Sequence, residues 1–278
     1  MIQRITIDSD QIEHDPLDLS STQRSLIKLN PEQRHYLCRV LRLGAGDRFL
    51  AQDGKGNQWL AVILPLLVQA EVVESIKIDL VLMPPLRLIA ALPKGNSFDQ
   101  VVRQATELGV SHIVPVMSDR TLLKPKGSKL ERWRRIANEA SEQSERLTTP
   151  EIASPISFQA LFKQENWEGL CYICATRQNA SHLLFELQSD LASKDLASKE
   201  TFEETLKKTS RKIPKKNLED LPAVNLMIGP EGGWTSEEIT VAIRNGYKVV
   251  SLGSAILRAT TASITALSLV AAARELLI

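Results

Sequence analysis

The stretch Val224-Asn225-Leu226-Met227-Ile228-Gly229-Pro230-Glu231-Gly232-Gly233-Trp234-Thr235-Ser236-Glu237-Glu238 decides how the chain is read. An apolar run from Val224 to Ile228 stops abruptly at Gly-Pro-Glu-Gly-Gly. Thr235 or Ser236 then offers a helix N-cap, with Glu237 and Glu238 in the first turn. A buried strand therefore feeds a glycine-rich loop, and the loop feeds a helix. Gly229, Gly232 and Gly233 permit positive φ and let a ligand reach bare backbone. Pro230 stiffens the loop, and Glu231 places one carboxylate in it. Glycines mark tight βα turns far more often than ligand sites, so the loop needs support from the rest of the chain.

Working outward from this loop, strands alternate with helices. Leu88 to Leu92 reads as a strand ending in Pro93-Lys94-Gly95-Asn96, and Phe98 to Leu108 as a helix stopped by Gly109. His112 to Val116 is a second strand, Leu130 to Gln143 a helix, Leu170 to Ala175 a third strand and Asn179 to Leu187 a helix. After the fourth strand (Val224 to Ile228) come a helix over Ser236 to Asn245, a fifth strand at Val249 to Leu252 and a long helix from about Thr260 to Leu277. This alternation predicts a mostly parallel sheet with helices on both faces over residues 84–278. Residues 1–78 read instead as a small β-rich domain, with a hairpin signal at Asp53-Gly54-Lys55-Gly56-Asn57. It carries one short helix from about Pro31 to Leu41. On that helix His35, Arg39 and Arg42 share a face, while Leu37, Val40 and Leu41 point inward. Met83-Pro84-Pro85 marks the linker between the two domains. Residues 189–221 are charged, low in apolar content and contain Asp-Leu-Ala-Ser-Lys twice in succession, which predicts an insertion loop.

Composition bounds the function. The 278 residues are 43% hydrophobic and 24% charged, a globular balance with room for about two domains. Nothing at the N-terminus resembles a signal peptide and no apolar run suits a membrane span, which predicts a soluble, cytoplasmic protein without membrane contact. Cys171 and Cys174 form a C-x-x-C, but on a strand they face opposite sides, and the four histidines are scattered. No metal is expected. Net charge is only +1, yet positive charge clusters at Arg24 to Arg48 and at Arg120 to Arg135, the footprint of a phosphate backbone.

In an open parallel sheet, ligands bind at the carboxyl ends of the strands. Three such ends stand out: Ala175-Thr176-Arg177, the Gly229 to Gly233 loop, and Leu252-Gly253-Ser254-Ala255-Ile256-Leu257-Arg258. As neighbours they form a pocket of backbone amides and carbonyls with an apolar floor, suited to a small cofactor with an adenine-like ring. The phosphate-loop, dinucleotide and nucleophile-elbow patterns are all missing.

Gly229-Pro230-Glu231-Gly232-Gly233, followed by Leu252-Gly253 and Ile256-Leu257-Arg258, resembles the ribosomal RNA small subunit methyltransferase E family. His35-Tyr36-Leu37 with Arg39-Val40-Leu41-Arg42, Leu92-Pro93-Lys94-Gly95, Glu107-Leu108-Gly109-Val110, and Arg132-Trp133 through Glu142-Gln143-Ser144, Arg146 and Pro150 agree with it. The resemblance covers nearly the whole chain apart from the insertion. It implies methylation of N3 of a uridine in 16S rRNA with S-adenosylmethionine, on a SPOUT-type trefoil-knotted α/β domain joined to a PUA-like β-barrel, in a homodimer. Ala262, Ala266 and Ala273 keep parts of the last helix small, which suits either close pairing or an ordinary core. Ala175, Thr176, Ile228, Gly229, Pro230, Gly232, Leu252, Gly253, Ile256 and Leu257 are then expected to hold the cofactor. Arg258 is expected to stabilise the uracil anion, and Glu231 to accept the proton or orient the cofactor. Arg34, His35, Arg39, Arg42, Lys94, Lys124, Lys126, Arg132 and Arg146 are expected to grip the rRNA or the small subunit. The chain departs from the family where Leu-Gly-Pro-Arg becomes Leu252-Gly253-Ser254-Ala255 and where an acidic residue becomes Thr260, which can still cap the final helix. Two alternatives share these residues: a non-catalytic RNA-binding relative, and a SPOUT methyltransferase of tRNA or 23S rRNA.

Overall fold

The computed structural model describes residues 2–14, 24–78, 83–121, 127–164, 168–175, 179–192 and 221–276. It divides into two compact units, one of Met1–Leu80 with Ala137–Thr149 and one of Val81–Ile136 with Pro150–Ile278. The sequence boundaries had left residues 137–149 with the α/β part.

The first unit holds β1 (Arg4–Thr6), β2 (Ile12–His14), β3 (Ser25–Lys28), α1 (Pro31–His35), β4 (Arg48–Gln52), β5 (Gln58–Ile63) and β6 (Gln69–Ile76). The strands form one sheet in the order β1-β4-β5-β6-β3-β2, antiparallel except where β1 runs beside β4. Alternating residues from these strands, among them Ile5, Ile27, Phe49, Ala61, Ile63 and Ala70, bury a common core that Leu37 completes. The Asn30 side chain caps α1, Pro31 sits at its first position, and Gln33 closes the capping box. The helix then widens into a π-helical turn over Tyr36–Val40, where the Leu41 amide reaches back to the Tyr36 carbonyl at 2.9 Å. This turn corrects the sequence reading of Val40. An α-helical period points it inward, but the wider turn rotates it out to 56% exposure. Arg42 follows with φ of 59°, a left-handed conformation that disfavours a side chain.

The second unit holds β7 (Leu86–Ala91), α2 (Ser97–Glu107), β8 (His112–Met117), α3 (Ser128–Gln143, entering the first unit at Ala137), β9 (Glu151–Ile152), β10 (Ile156–Ser157), α4 (Phe158–Gln164), β11 (Leu170–Cys174), α5 (Leu183–Ala192), β12 (Val224–Ile228), α6 (Ser236–Arg244), β13 (Lys248–Val250) and α7 (Ala259–Glu275). The sheet order is β10-β8-β7-β12-β11-β13 with β9 also on β8, and every pairing is parallel. β12 lies at the centre between β7 and β11, and all five of its residues are buried. That accounts for an apolar run with no alternation, because both faces of a parallel sheet are covered. Since the strands share one direction, the loops leaving β8, β11, β12 and β13 emerge at one edge.

Two further expectations need correction. α5 continues through Ala192, so the insertion does not begin at residue 189. Asp190 accepts from the Tyr172 hydroxyl at 2.7 Å and pairs with Lys248 at 2.6 Å, and Leu191 is buried. Leu221, at the other expected end, is buried as well. Residues 193–220, with most of the repeated pentamer, lie outside the described residues. The final helix is capped at Arg258 rather than Thr260, because the chain is already helical from Ala259. In that helix Ala266 and Ala273 are buried within this chain's own core, and Ala262 lines the pocket described next.

Candidate functional site

A pocket of about 460 Å³ opens at the carboxyl edge of the sheet. Three loops build it. Cys174 and Ala175 come from the end of β11, Ile228 to Trp234 from the end of β12 and the loop after it, and Ser251 to Gly253 with Ala255 to Leu257 from the loop after β13. Arg120 reaches in from the turn after β8. Of the residues expected to hold a cofactor, Ala175, Ile228, Gly229, Pro230, Gly232, Leu252, Gly253, Ile256 and Leu257 all line this pocket; Thr176 lies outside the described residues.

The glycine loop keeps its shape for reasons internal to the protein. A Cβ on Gly229 would stand 3.2 Å from the Trp234 indole, and one on Gly232 would stand 3.1 Å from the Arg120 side chain. Each glycine thus also lies against a neighbouring side chain. Trp234 is 6% exposed and packs at a tilt of 51° against Phe158, ring centres 5.4 Å apart, with Phe162 and Tyr247 continuing the row of rings. Its Nε1 has no hydrogen-bond partner among the described residues. A buried donor left unpaired in a pocket wall fits a polar ligand group.

The helix after the loop starts in a complete capping box. Thr235 Oγ1 accepts from the Glu238 amide at 3.1 Å, and Glu238 Oε2 accepts from the Thr235 amide at 2.7 Å. Glu231 is exposed, and its carboxylate accepts the Lys94 amide at 3.2 Å, joining the loops after β12 and β7. Arg258 is exposed at the start of α7, between the lining residues Leu257 and Ala259, and its side chain makes no cap bond. Burial pushes the Cys174 thiol up to about 12, so it stays protonated at neutral pH. Among the described residues no group of three or more metal-ligating side chains occurs.

The residues expected to meet RNA are less uniform. Arg34, His35, Arg39 and Arg42 are all exposed on α1 and the turn after it. Lys94 is exposed in the loop after β7. Arg132, however, forms an ion pair with Asp99 at 2.8 Å, so its charge is shared. Arg146 is half-buried, burial lowers its pKa, and its Nη2 lies 3.4 Å from Thr148 Oγ1. Lys124 and Lys126 lie outside the described residues. Arg120 and Trp234 are among the pocket residues that sequence reasoning passed over. Arg120 was grouped with the basic cluster, and only the fold turns it into the pocket. Trp234 stood next to the glycines, where an aromatic packed under the loop could have been suspected.

This is an α/β protein built to hold a small organic ligand among loops at the carboxyl ends of its parallel strands. Residues 82–271 match the RNA methyltransferase domain family, and residues 29–73 match the RNA methyltransferase PUA domain. The ribosomal RNA small subunit methyltransferase E of Synechocystis is 40% identical over 252 residues, covering 90% of this chain and 74% of that protein. The protein of the same name from Bacillus subtilis is 26% identical over 253 residues, covering 88% and 90%. A Legionella pneumophila protein assigned as a methyltransferase, solved with S-adenosylmethionine bound, superposes with a TM-score of 0.72 at 25% identity, covering 98% of each chain. The chain belongs to the RNA methyltransferase family of the ribosomal RNA small subunit methyltransferase E proteins.

Proposed function

We propose that the protein methylates N3 of one uridine in 16S rRNA with S-adenosylmethionine, acting in the cytoplasm as a homodimer with the knotted connection that its resemblance implies. The observation that carries the reading is the pocket at the sheet edge, walled by Gly229 to Trp234 and Leu252 to Leu257. Its volume falls in the range of small-molecule sites. Backbone amides and carbonyls at the rim suit a ligand with polar ends, Ile228, Leu252, Ile256 and Leu257 suit an adenine ring, and Trp234 Nε1 offers an unused donor. When bound, the cofactor supplies an electrophilic methyl group on a sulfonium.

The protein's own residues do the rest. Uridine N3 carries a proton at neutral pH, so it becomes a nucleophile only if the resulting uracil anion is stabilised. Arg258 stands at the pocket's edge, where its guanidinium can donate to a uracil carbonyl oxygen. The first amides of α7 add positive potential at the same place. Glu231 orients the rim by holding the Lys94 amide, and it is the carboxylate in reach for proton acceptance. Arg34, His35, Arg39 and Arg42 present positive charge to rRNA phosphates.

Calorimetry with S-adenosylmethionine tests the reading against a non-catalytic RNA-binding relative; absence of binding removes the proposed enzyme. Arg258→Ala is expected to lower turnover by about 100-fold or more, the scale of losing an oxyanion donor. Thermal stability should stay unchanged, because the Arg258 side chain caps nothing. Near-normal methylation by the variant would remove Arg258 from the mechanism.

A further inference from the structure

Glu238 carries more than its capping box. It is 2% exposed, and its two carboxylate oxygens are spent on different segments. Oε2 holds the Thr235 amide, while Oε1 accepts the Asp119 amide at 2.9 Å, 119 residues away in sequence. The turn it reaches, Ser118 to Thr121, is closed by the Ser118 amide on Thr121 Oγ1 at 3.0 Å and by the Thr121 amide on the Ser118 carbonyl at 2.9 Å. Gln159 Nε2 holds the Asp119 side chain at 3.1 Å. The residue presented by this turn is Arg120. Its stem lies against Gly232, where an added Cβ would stand 3.1 Å from the Arg120 Cδ, and its guanidinium donates to the Gly232 carbonyl.

Among the described residues Arg120 is the one cationic side chain lining the pocket, and no carboxylate among them pairs with it. A guanidinium with one N–H fixed on a carbonyl keeps the rest of its planar fork for a second acceptor, and that fork matches carboxylate and phosphate oxygens. We infer that Arg120 is a binding residue for an anionic group at this pocket, a carboxylate or a phosphate, and that Glu238 is the positioning residue that holds it there. The inference rests on the proposed function, in which two such anions are at hand: the carboxylate of the cofactor's amino-acid end and the phosphate of the target nucleotide.

The test uses the full chain and compares the affinity of S-adenosylhomocysteine with that of methylthioadenosine, which lacks the amino-acid end. Kinetics with 16S rRNA run in parallel, with KM separated from kcat. If the anion is the cofactor's carboxylate, Arg120→Ala weakens S-adenosylhomocysteine by about tenfold and leaves methylthioadenosine nearly unchanged. If it is phosphate, both cofactor affinities hold and KM for RNA rises by about tenfold. Glu238→Gln keeps the shape but can accept only one of the two amides, so it should move the same quantity in the same direction by less. In the Arg120→Ala/Glu238→Gln double variant the second change should add almost nothing. Unchanged values in Arg120→Ala overturn the role of Arg120. A double variant that shows the full sum of both losses overturns the positioning role of Glu238. Wild-type protein that binds neither cofactor analogue overturns the proposed function instead, so the two failures are distinguishable.

Discussion

Gly229 and Gly232 meet two demands at the scale of a residue. Each lines the pocket, and each also lies against a side chain of the protein, Trp234 in one case and Arg120 in the other. A side chain added at either position would press on that neighbour as well as on a bound ligand. Another residue whose environment overrides its type is Glu142, the carboxylate that accepts the Thr6 amide within the first unit. Burial raises its pKa above the usual carboxylate value, and the bond to Thr6 opposes that only in part. As pH rises past the unfolded value, the native state therefore holds this proton longer than the unfolded chain does. The stability from this group is present below about pH 4.5, the unfolded value, and is lost as pH rises through the higher native value. Glu142→Gln, which keeps the acceptor and removes the charge, should raise stability at neutral pH relative to wild type. The gain should vanish toward pH 4. Denaturant midpoints across pH measure this; a variant less stable at pH 7 than at pH 4, relative to wild type, contradicts it.

The helices divide into those whose placement follows from local sequence and those fixed by distant partners. α6 was legible because its cap, its acidic first turn and its strand–loop approach are contiguous. The rotation of Val40 was not, because an α-helical period gives no sign of a π-helical turn. The neutralised charge of Arg132 was not legible either, since Asp99 lies 33 positions away on another helix. The same holds for Glu238, whose second oxygen serves a turn that only the fold brings near. α7 is a further case. Arg274 reads as an ordinary basic residue near a helix C-terminus, yet it is 3% exposed and donates to the carbonyls of Pro84, Pro85 and Pro222 at 2.7, 3.2 and 2.9 Å. Burial lowers its pKa to about 10, which still leaves it charged at neutral pH. It ties the last helix to the segments that open β7 and β12. Arg274→Ala would take its donors from the Pro84 and Pro222 carbonyls, while Pro85 keeps the Val224 amide at 2.9 Å, and it should cost about 3 kcal/mol in chemical denaturation. Arg274→Lys should recover part of that loss. A cost below about 0.5 kcal/mol would show that these bonds are not holding the helix in place.

For the molecule as a whole, the parallel sheet and the convergence of loops at its carboxyl edge followed from strand–helix alternation and apolar runs, which are local signals. The division between units was less legible. Residues 137–149 look like part of the α/β chain in sequence but group with the first unit, where the Gln52 side chain donates to the Arg146 carbonyl and the Thr149 amide donates to the Gly54 carbonyl. Such contacts join segments nearly a hundred residues apart and leave no periodicity to detect. Family membership makes RNA methyl transfer the activity to test first. The most direct measurement is transfer of a labelled methyl group from S-adenosylmethionine into unmodified small subunits and free 16S rRNA, followed by mapping of the modified base. The account predicts label on N3 of a single uridine in 16S rRNA. No transfer, or label confined to tRNA, to 23S rRNA or to an atom other than uridine N3, would contradict it.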